Sequence, residues 1–157
     1  MHDSLQLVIA DLTIWAHALD GTIPRVQAAF HELRRHQRVT APGMLFAQLL
    51  SEVEDDHRAE RVRTFAIECP TLPESQGGWL AAGDIGFTLR ERGLFVSALS
   101  HYLLALCIRE GLPLWTLDDE MRRAAQAFSV PLYDGYIPSS RPPAAIKPVK
   151  ARGLLRR

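Results

Sequence analysis

Long apolar runs are missing from this 157-residue chain. No stretch reaches the roughly 18 consecutive apolar residues that a membrane-crossing helix needs. The opening MHDSLQLVIADL has no basic start followed by a long apolar stretch, so it does not read as a secretory leader. Cysteine is scarce. Cys69 and Cys107 fall in different helix-like segments with no metal-ligand spacing, which predicts buried thiols in a cytoplasmic protein that does not enter a membrane. Lysine is absent before residue 147. No glycine-rich phosphate loop follows the first apolar strand. Those two gaps weigh against a receiver-like or nucleotide-binding doubly wound domain. No internal repeat is present.

What the chain does have is enough apolar content, 47%, for one full core, and a near-average charged content of 23%. Its net charge of zero hides an asymmetry. Residues 138–157 carry Arg141, Lys147, Lys150, Arg152, Arg156 and Arg157, four prolines and no acid. The rest holds 12 basic against 18 acidic side chains, a net of −6. The chain therefore divides into a compact acidic domain, residues 1–136, and a basic, proline-containing tail, residues 137–157, expected to be flexible. Three readings of the tail stay open: phosphate contacts to a nucleic acid, a solvated end, or a segment folded over the acidic body.

Along the domain, short apolar segments alternate with helix-like ones. LQLVIA (5–10), RVTAP (38–42), LPLWT (112–116) and VPLYD (130–134) read as strands. Asp11 follows the first strand, where it suits a helix cap. Pro24 opens one helix, and Gly93 and Gly111 close two others. PTLPES (70–75) reads as a breaker-rich loop. This alternation predicts an α/β fold with a parallel sheet between helices. Chemistry in such a sheet gathers beyond the carboxyl ends of its strands. Asp11 and Asp118 both follow strands there, and adjacent strands would bring them together.

Four segments in order carry a resemblance. They are LVIADLTIW, VTAPGMLFAQLLSEV, WLAAGDIGFTLRERG and VSALSHYLLALCIREGLPLWTLDDEM. Together, over residues 5–134, they resemble the PIN-domain family and within it the small VapC-type toxins. The resemblance implies a PIN-like three-layer α/β/α fold with a central parallel sheet of four to five short strands. It implies Mg²⁺- or Mn²⁺-dependent cleavage of single-stranded RNA by three or four clustered carboxylates. Hard divalent cations need such oxygen ligands, and the metal makes their mutual repulsion tolerable. The family's toxins pair with antitoxin proteins whose tails enter the active-site groove, and they commonly form homodimers. An antitoxin-like protein, RNA and a second copy are therefore the expected partners.

The sequence departs from the pattern at two of four corners. Asp11 and Asp118 match the first and fourth acids, but the second and third positions are Gln48 and Ser100. The charge of the cluster falls from −4 to −2. An amide and a hydroxyl do not supply the charge that offsets stripping water from Mg²⁺. Thr13, Thr116, Asp119 and Glu52 are candidate auxiliary groups. Each has a plainer role as a helix-start hydroxyl, a first-turn acid or a solvated acid. Arg90, Arg92, Arg122 and Arg123 are candidates to line an RNA path, and each also suits a solvated surface. His101 and Asp84 read as partly buried and surface groups. Trp15, Trp79 and Trp115 read as core. The expectation is a VapC-type protein with a degenerate metal site, weak or inactive as a nuclease and acting through RNA or protein binding. The alternative is a toxin ribonuclease using Asp11, Asp118 and auxiliary acids with Mg²⁺ or Mn²⁺.

Overall fold

The computed structural model describes residues 6–135. The basic tail expected from residue 137 onward lies outside them. In chain order the elements are β1 (Val8–Ala10), α1 (Leu12–Asp20), α2 (Pro24–Arg35), β2 (Val39–Pro42), α3 (Gly43–Glu52) and α4 (Asp56–Glu68). They continue with β3 (Thr71–Leu72), α5 (Gln76–Glu91), α6 (Ala98–Glu110), β4 (Leu114–Trp115) and α7 (Asp119–Ala127). The fold is α/β: a four-stranded parallel sheet in the order β3-β2-β1-β4, flanked by helices. β1 is the pivot. The chain moves from it to β2 and β3 on one side, then returns to place β4 on the other. The switch in direction therefore lies between β1 and β4, with Ile9 level with Leu114 and Ala10 with Trp115.

Local chemistry explains the helix boundaries. Asp11, Asp55, Ser75, Ser97 and Asp118 each cap a helix by accepting a backbone N–H of its first turn, which satisfies a donor the helix itself cannot. Pro24 opens α2, where its missing N–H costs nothing. Gly111 ends α6 in the left-handed region, φ 64°, where a side chain would be strained. Gly93 lies just beyond α5, also left-handed at φ 71°.

The core centres on Trp15, which is fully buried. Its indole meets Phe30 of α2, Phe46 of α3 and Phe65 of α4 at centroid distances of 5.0, 4.9 and 5.7 Å. Its Nε1–H donates to the Ala10 carbonyl at 3.1 Å, so the one polar atom of the ring is satisfied and α1 is tied to the end of β1. Helices α5 and α6 pack as a close pair. Gly86 permits that approach, because a Cβ there would meet the His101 ring at 2.6 Å.

Four details differ from the sequence reading. PTLPES contains β3, a two-residue strand paired with β2 through Ala41–Thr71 and Pro42–Leu72. A strand this short between prolines has no periodicity to detect; β2 alone makes it a strand. VPLYD forms no named strand, only a parallel bridge from Leu132 to Leu114. Pro131 has no N–H, so only its carbonyl and the Tyr133 N–H pair with Leu114. β1 begins at Val8, later than expected. Trp79 is half-buried, stacked on Tyr102 with centroids 4.0 Å apart, whereas Trp15 and Trp115 are core. Cys69 and Cys107 are buried and free, and burial pushes their thiols up to about 11 and about 12.

Candidate functional site

A groove of about 420 Å³ opens at the carboxyl ends of β1 and β4. Its lining includes Asp11, Thr13, Gln48, Ser97, Ser100 and Asp118, with apolar residues between them. All four corners singled out in the sequence thus share one concavity, beside the switch between β1 and β4 where open parallel sheets bind their ligands.

Asp11 is the most constrained group. It leaves β1 with its N–H bonded to the Trp115 carbonyl at 2.9 Å, and its carboxylate caps α1 through Ile14 N–H at 3.2 Å. Thr13 donates its hydroxyl to Asp11 Oδ1 at 2.5 Å, and Thr116 donates its own to Oδ2. Each hydroxyl in turn accepts a backbone N–H from the loop after β4: Leu117 onto Thr13 at 3.1 Å and Asp118 onto Thr116 at 3.0 Å. The two threonines are relays that lock this loop to the acid. Asp11 is only 5% exposed. Burial holds its carboxyl above the usual range, outweighing the opposing hydrogen bonds from Thr116, Thr13 and Ile14.

Asp118 differs. It is exposed, and it caps α7 by accepting the Glu120 N–H at 2.9 Å. Gln48 is half-buried on α3, and its Nε2 donates to Glu52 Oε1 at 2.9 Å. Ser100 lies in the first turn of α6, its hydroxyl 3.0 Å from that of the capping Ser97. The two helical corners are therefore neutral.

Several other candidates stand elsewhere. Glu52 is exposed, touches Gln48 and does not line the groove. Asp119 is 82% exposed with Arg122 at 3.9 Å and also stays outside the lining. A side chain next along the helix from Asp118 points about 100° away. None of Arg90, Arg92, Arg122 and Arg123 lines the groove. Arg92 donates to the Ala127 carbonyl and covers Phe128, Arg122 donates to the Thr116 carbonyl, and Arg123 pairs with Glu120. Arg90 is exposed. His101 packs on Gly86, and Asp84 is exposed on α5. Ser97 and Phe95 line the groove but were not singled out in the sequence. The signal for Ser97 was present, a serine just before an apolar helix. Phe95 had none, since an aromatic in a loop carries no period.

The donor set does not fit a carboxylate-held divalent cation. Two acids replace the expected four, and Asp11 already has both oxygens engaged. Among the described residues no group of three or more His, Cys, Asp or Glu is placed to share a metal. The lining contains no Lys, Arg or His either, so two carboxylates stand in it without a cation.

No protein-family model and no curated protein matches the chain. Solved structures do. A chain of VapBC2 from Rickettsia felis, bound to a DNA fragment from their promoter, superposes with a TM-score of 0.65 and 14% identity, covering 82% of this chain and 98% of that one. A chain of FitAcB from Neisseria gonorrhoeae gives 0.60 and 15%, with coverage of 82% and 98%. A chain of VapBC-1 from nontypeable Haemophilus influenzae gives 0.61 and 10%, with coverage of 83% and 98%. At such identities the likeness is one of fold: over the described domain this chain has the PIN-like α/β architecture found in the VapBC and FitAB complexes.

Proposed function

We propose that this protein is a VapC-type PIN module whose groove no longer supports metal-dependent RNA cleavage and instead binds a cationic segment of a protein partner. One observation carries the reading: Gln48 and Ser100 stand beside Asp11 and Asp118 in a lining that holds no cation. Without a metal, an RNA phosphate meets only negative charge and neutral dipoles there, and its binding is disfavoured. An arginine or lysine side chain meets two carboxylates, with apolar residues to cover its stem. The fold neighbours are themselves complexes, which supports an antitoxin-like partner. Self-association belongs to the same proposal. Leu80 and Phe87, seven residues apart on α5, are 67% and 64% exposed and form an outward apolar stripe suited to a second copy. Phe87→Arg is expected to shift a dimer to monomer in sedimentation; an unchanged monomer in both proteins rejects self-association.

The test combines calorimetric titration with Mn²⁺ and an RNA-cleavage assay. The wild-type chain is expected to bind Mn²⁺ at roughly millimolar strength or weaker and to leave RNA intact. Gln48→Glu with Ser100→Asp is expected to tighten Mn²⁺ binding at least about tenfold and to introduce cleavage. Tight Mn²⁺ binding by the wild type, or cleavage that Asp118→Asn abolishes, favours the nuclease instead.

A further inference from the structure

We propose that Glu120 is a positioning residue: without lining the groove itself, it holds Phe95 and Asp118 at the separation that a bound cation needs. This role rests on the reading of the groove as a binding surface for a cationic segment, and it deepens that reading by naming what keeps the surface in shape.

Asp118 and Phe95 both line the groove but come from different segments. Asp118 precedes α7, and Phe95 lies in the connection from α5 to α6. Glu120 is outside the lining, yet it bonds to both. Its backbone N–H donates to Asp118 Oδ1 at 2.9 Å, and its side-chain Oε2 accepts the Phe95 N–H at 3.4 Å. Its other oxygen, Oε1, meets Arg123 at 3.4 Å, which leaves Oε2 for Phe95. One residue thus joins the acid of one segment to the aromatic of the other.

Little else holds the middle of that connection. Arg92 fixes its start by donating to the Ala127 carbonyl at 3.2 Å and lying over the Phe128 ring. Ser97 fixes its end as the cap of α6. Between these two points the Phe95–Glu120 bond is the only hydrogen bond, among the described residues, that reaches α7. At 3.4 Å it is long for an N–H···O bond, and its charged acceptor offsets part of that weakness. The tie biases the connection toward the groove without locking it there.

The separation matters because one cation has two contacts to make. Asp118 Oδ1 is engaged, and Oδ2 has no hydrogen-bond partner among the described residues. The Phe95 side chain is open to contact, with the residue 69% exposed. A guanidinium or ammonium group reaches a carboxylate at about 2.7–2.9 Å and an aromatic face within about 6 Å of its centroid. Both contacts form together only if the connection and the start of α7 stay at a set distance. Holding that distance in advance spares the ligand the entropy of ordering the connection. With the tie cut, the ordering cost returns as weaker binding.

The test uses the full chain, a blocked Arg-Pro-Arg peptide as the cationic probe, and two variants. Glu120→Ala and Glu120→Gln both keep the backbone N–H that bonds Asp118, and loss of the exposed pair with Arg123 has little effect on stability. Glu120→Gln removes the charge and keeps an acceptor oxygen for Phe95; Glu120→Ala removes both. In an NMR titration Glu120→Ala is expected to bind the peptide about fivefold more weakly than the wild type, and Glu120→Gln within about twofold of it, at unchanged melting temperatures. The Phe95 amide is expected to exchange with solvent faster in Glu120→Ala than in the other two proteins. Equal weakening by both variants overturns the positioning role, because the charge of Glu120 alone then acts. Equal binding by all three proteins overturns it too, as does a Phe95 amide that exchanges alike in all three. Failure of the parent reading is separately visible: a wild type that does not bind the peptide rejects the cation-binding groove, and the role of Glu120 with it.

Discussion

The two halves of the groove are built on different principles. At the strand ends, Asp11 is buried and bound by two hydroxyls and a backbone N–H, and the same hydroxyls hold the loop after β4. On the helical side, Gln48 and Ser100 present side chains into the groove and bond only to near neighbours on their own helices or caps. The first half is part of the fold. The second is carried by the fold without supporting it. Gln48 and Ser100 are placed to change at little cost in stability, whereas Thr13 and Thr116 cannot lose their hydroxyls without disturbing the loop that shapes the groove. The departures from the four-acid pattern fall on the helical half.

Breaking this comparison should show a graded response. The largest effect is expected from Thr116→Val, which keeps the shape but strips a donor from buried Asp11 and an acceptor from the Asp118 N–H. A loss of about 2 kcal/mol is expected in urea denaturation; a loss no larger than that of Gln48→Ala would erase the distinction between the halves. Next comes Asp11→Asn. The folded-state value of Asp11 is raised by burial, so its contribution is fully present below the unfolded value and is lost as pH rises through the folded one. The wild type should therefore lose stability above the ordinary carboxylate range, while the Asn variant lacks that slope. At neutral pH the variant is expected to melt a few degrees higher, about 2–4 °C. A lower melting point at pH 7 would mean that the lost hydrogen bonds outweigh the desolvation.

On the helical side the effects shrink. Ser100→Asp places an acid in the first turn of α6, where the helix dipole favours it by about 0.3–1 kcal/mol. It is expected to leave stability unchanged or slightly raised in the same denaturation series. Gln48→Ala removes a contact to exposed Glu52 and is expected to move stability by no more than about 0.5 kcal/mol. A large loss from either would show that these corners support the fold after all.

Much of this was legible in the residues. The caps Asp11 and Asp118, Pro24 at a helix start and Gly111 at a helix end are local signals, fixed by backbone groups within a turn of the residue itself. The alternation of strands and helices was equally local, and it led to an α/β parallel sheet. Thr71–Leu72 was not legible, because two residues become a strand only when another strand offers them partners. The separation of Asp118 from Asp119 rested in the sequence on the resemblance alone, which puts the acid two residues after Thr116 and leaves Asp119 as a first-turn acid. One lines the groove and the other faces solvent, a choice made by the start of α7 relative to β4.

The sequence by itself determined which chemical groups were available: two acids, an amide and a hydroxyl at four spaced positions, and a cationic stretch after an acidic domain. Local interactions sufficed for that, since caps, turns and periodicity act over a few residues. Only the tertiary structure decided that these groups share one groove and that Asp11 is buried behind Thr13 and Thr116. Those facts depend on the pairing of β1 with β4, a contact between residues far apart in the chain. Burial and hydrogen-bond accounting over the whole sheet select such pairings, and no short stretch of sequence encodes them.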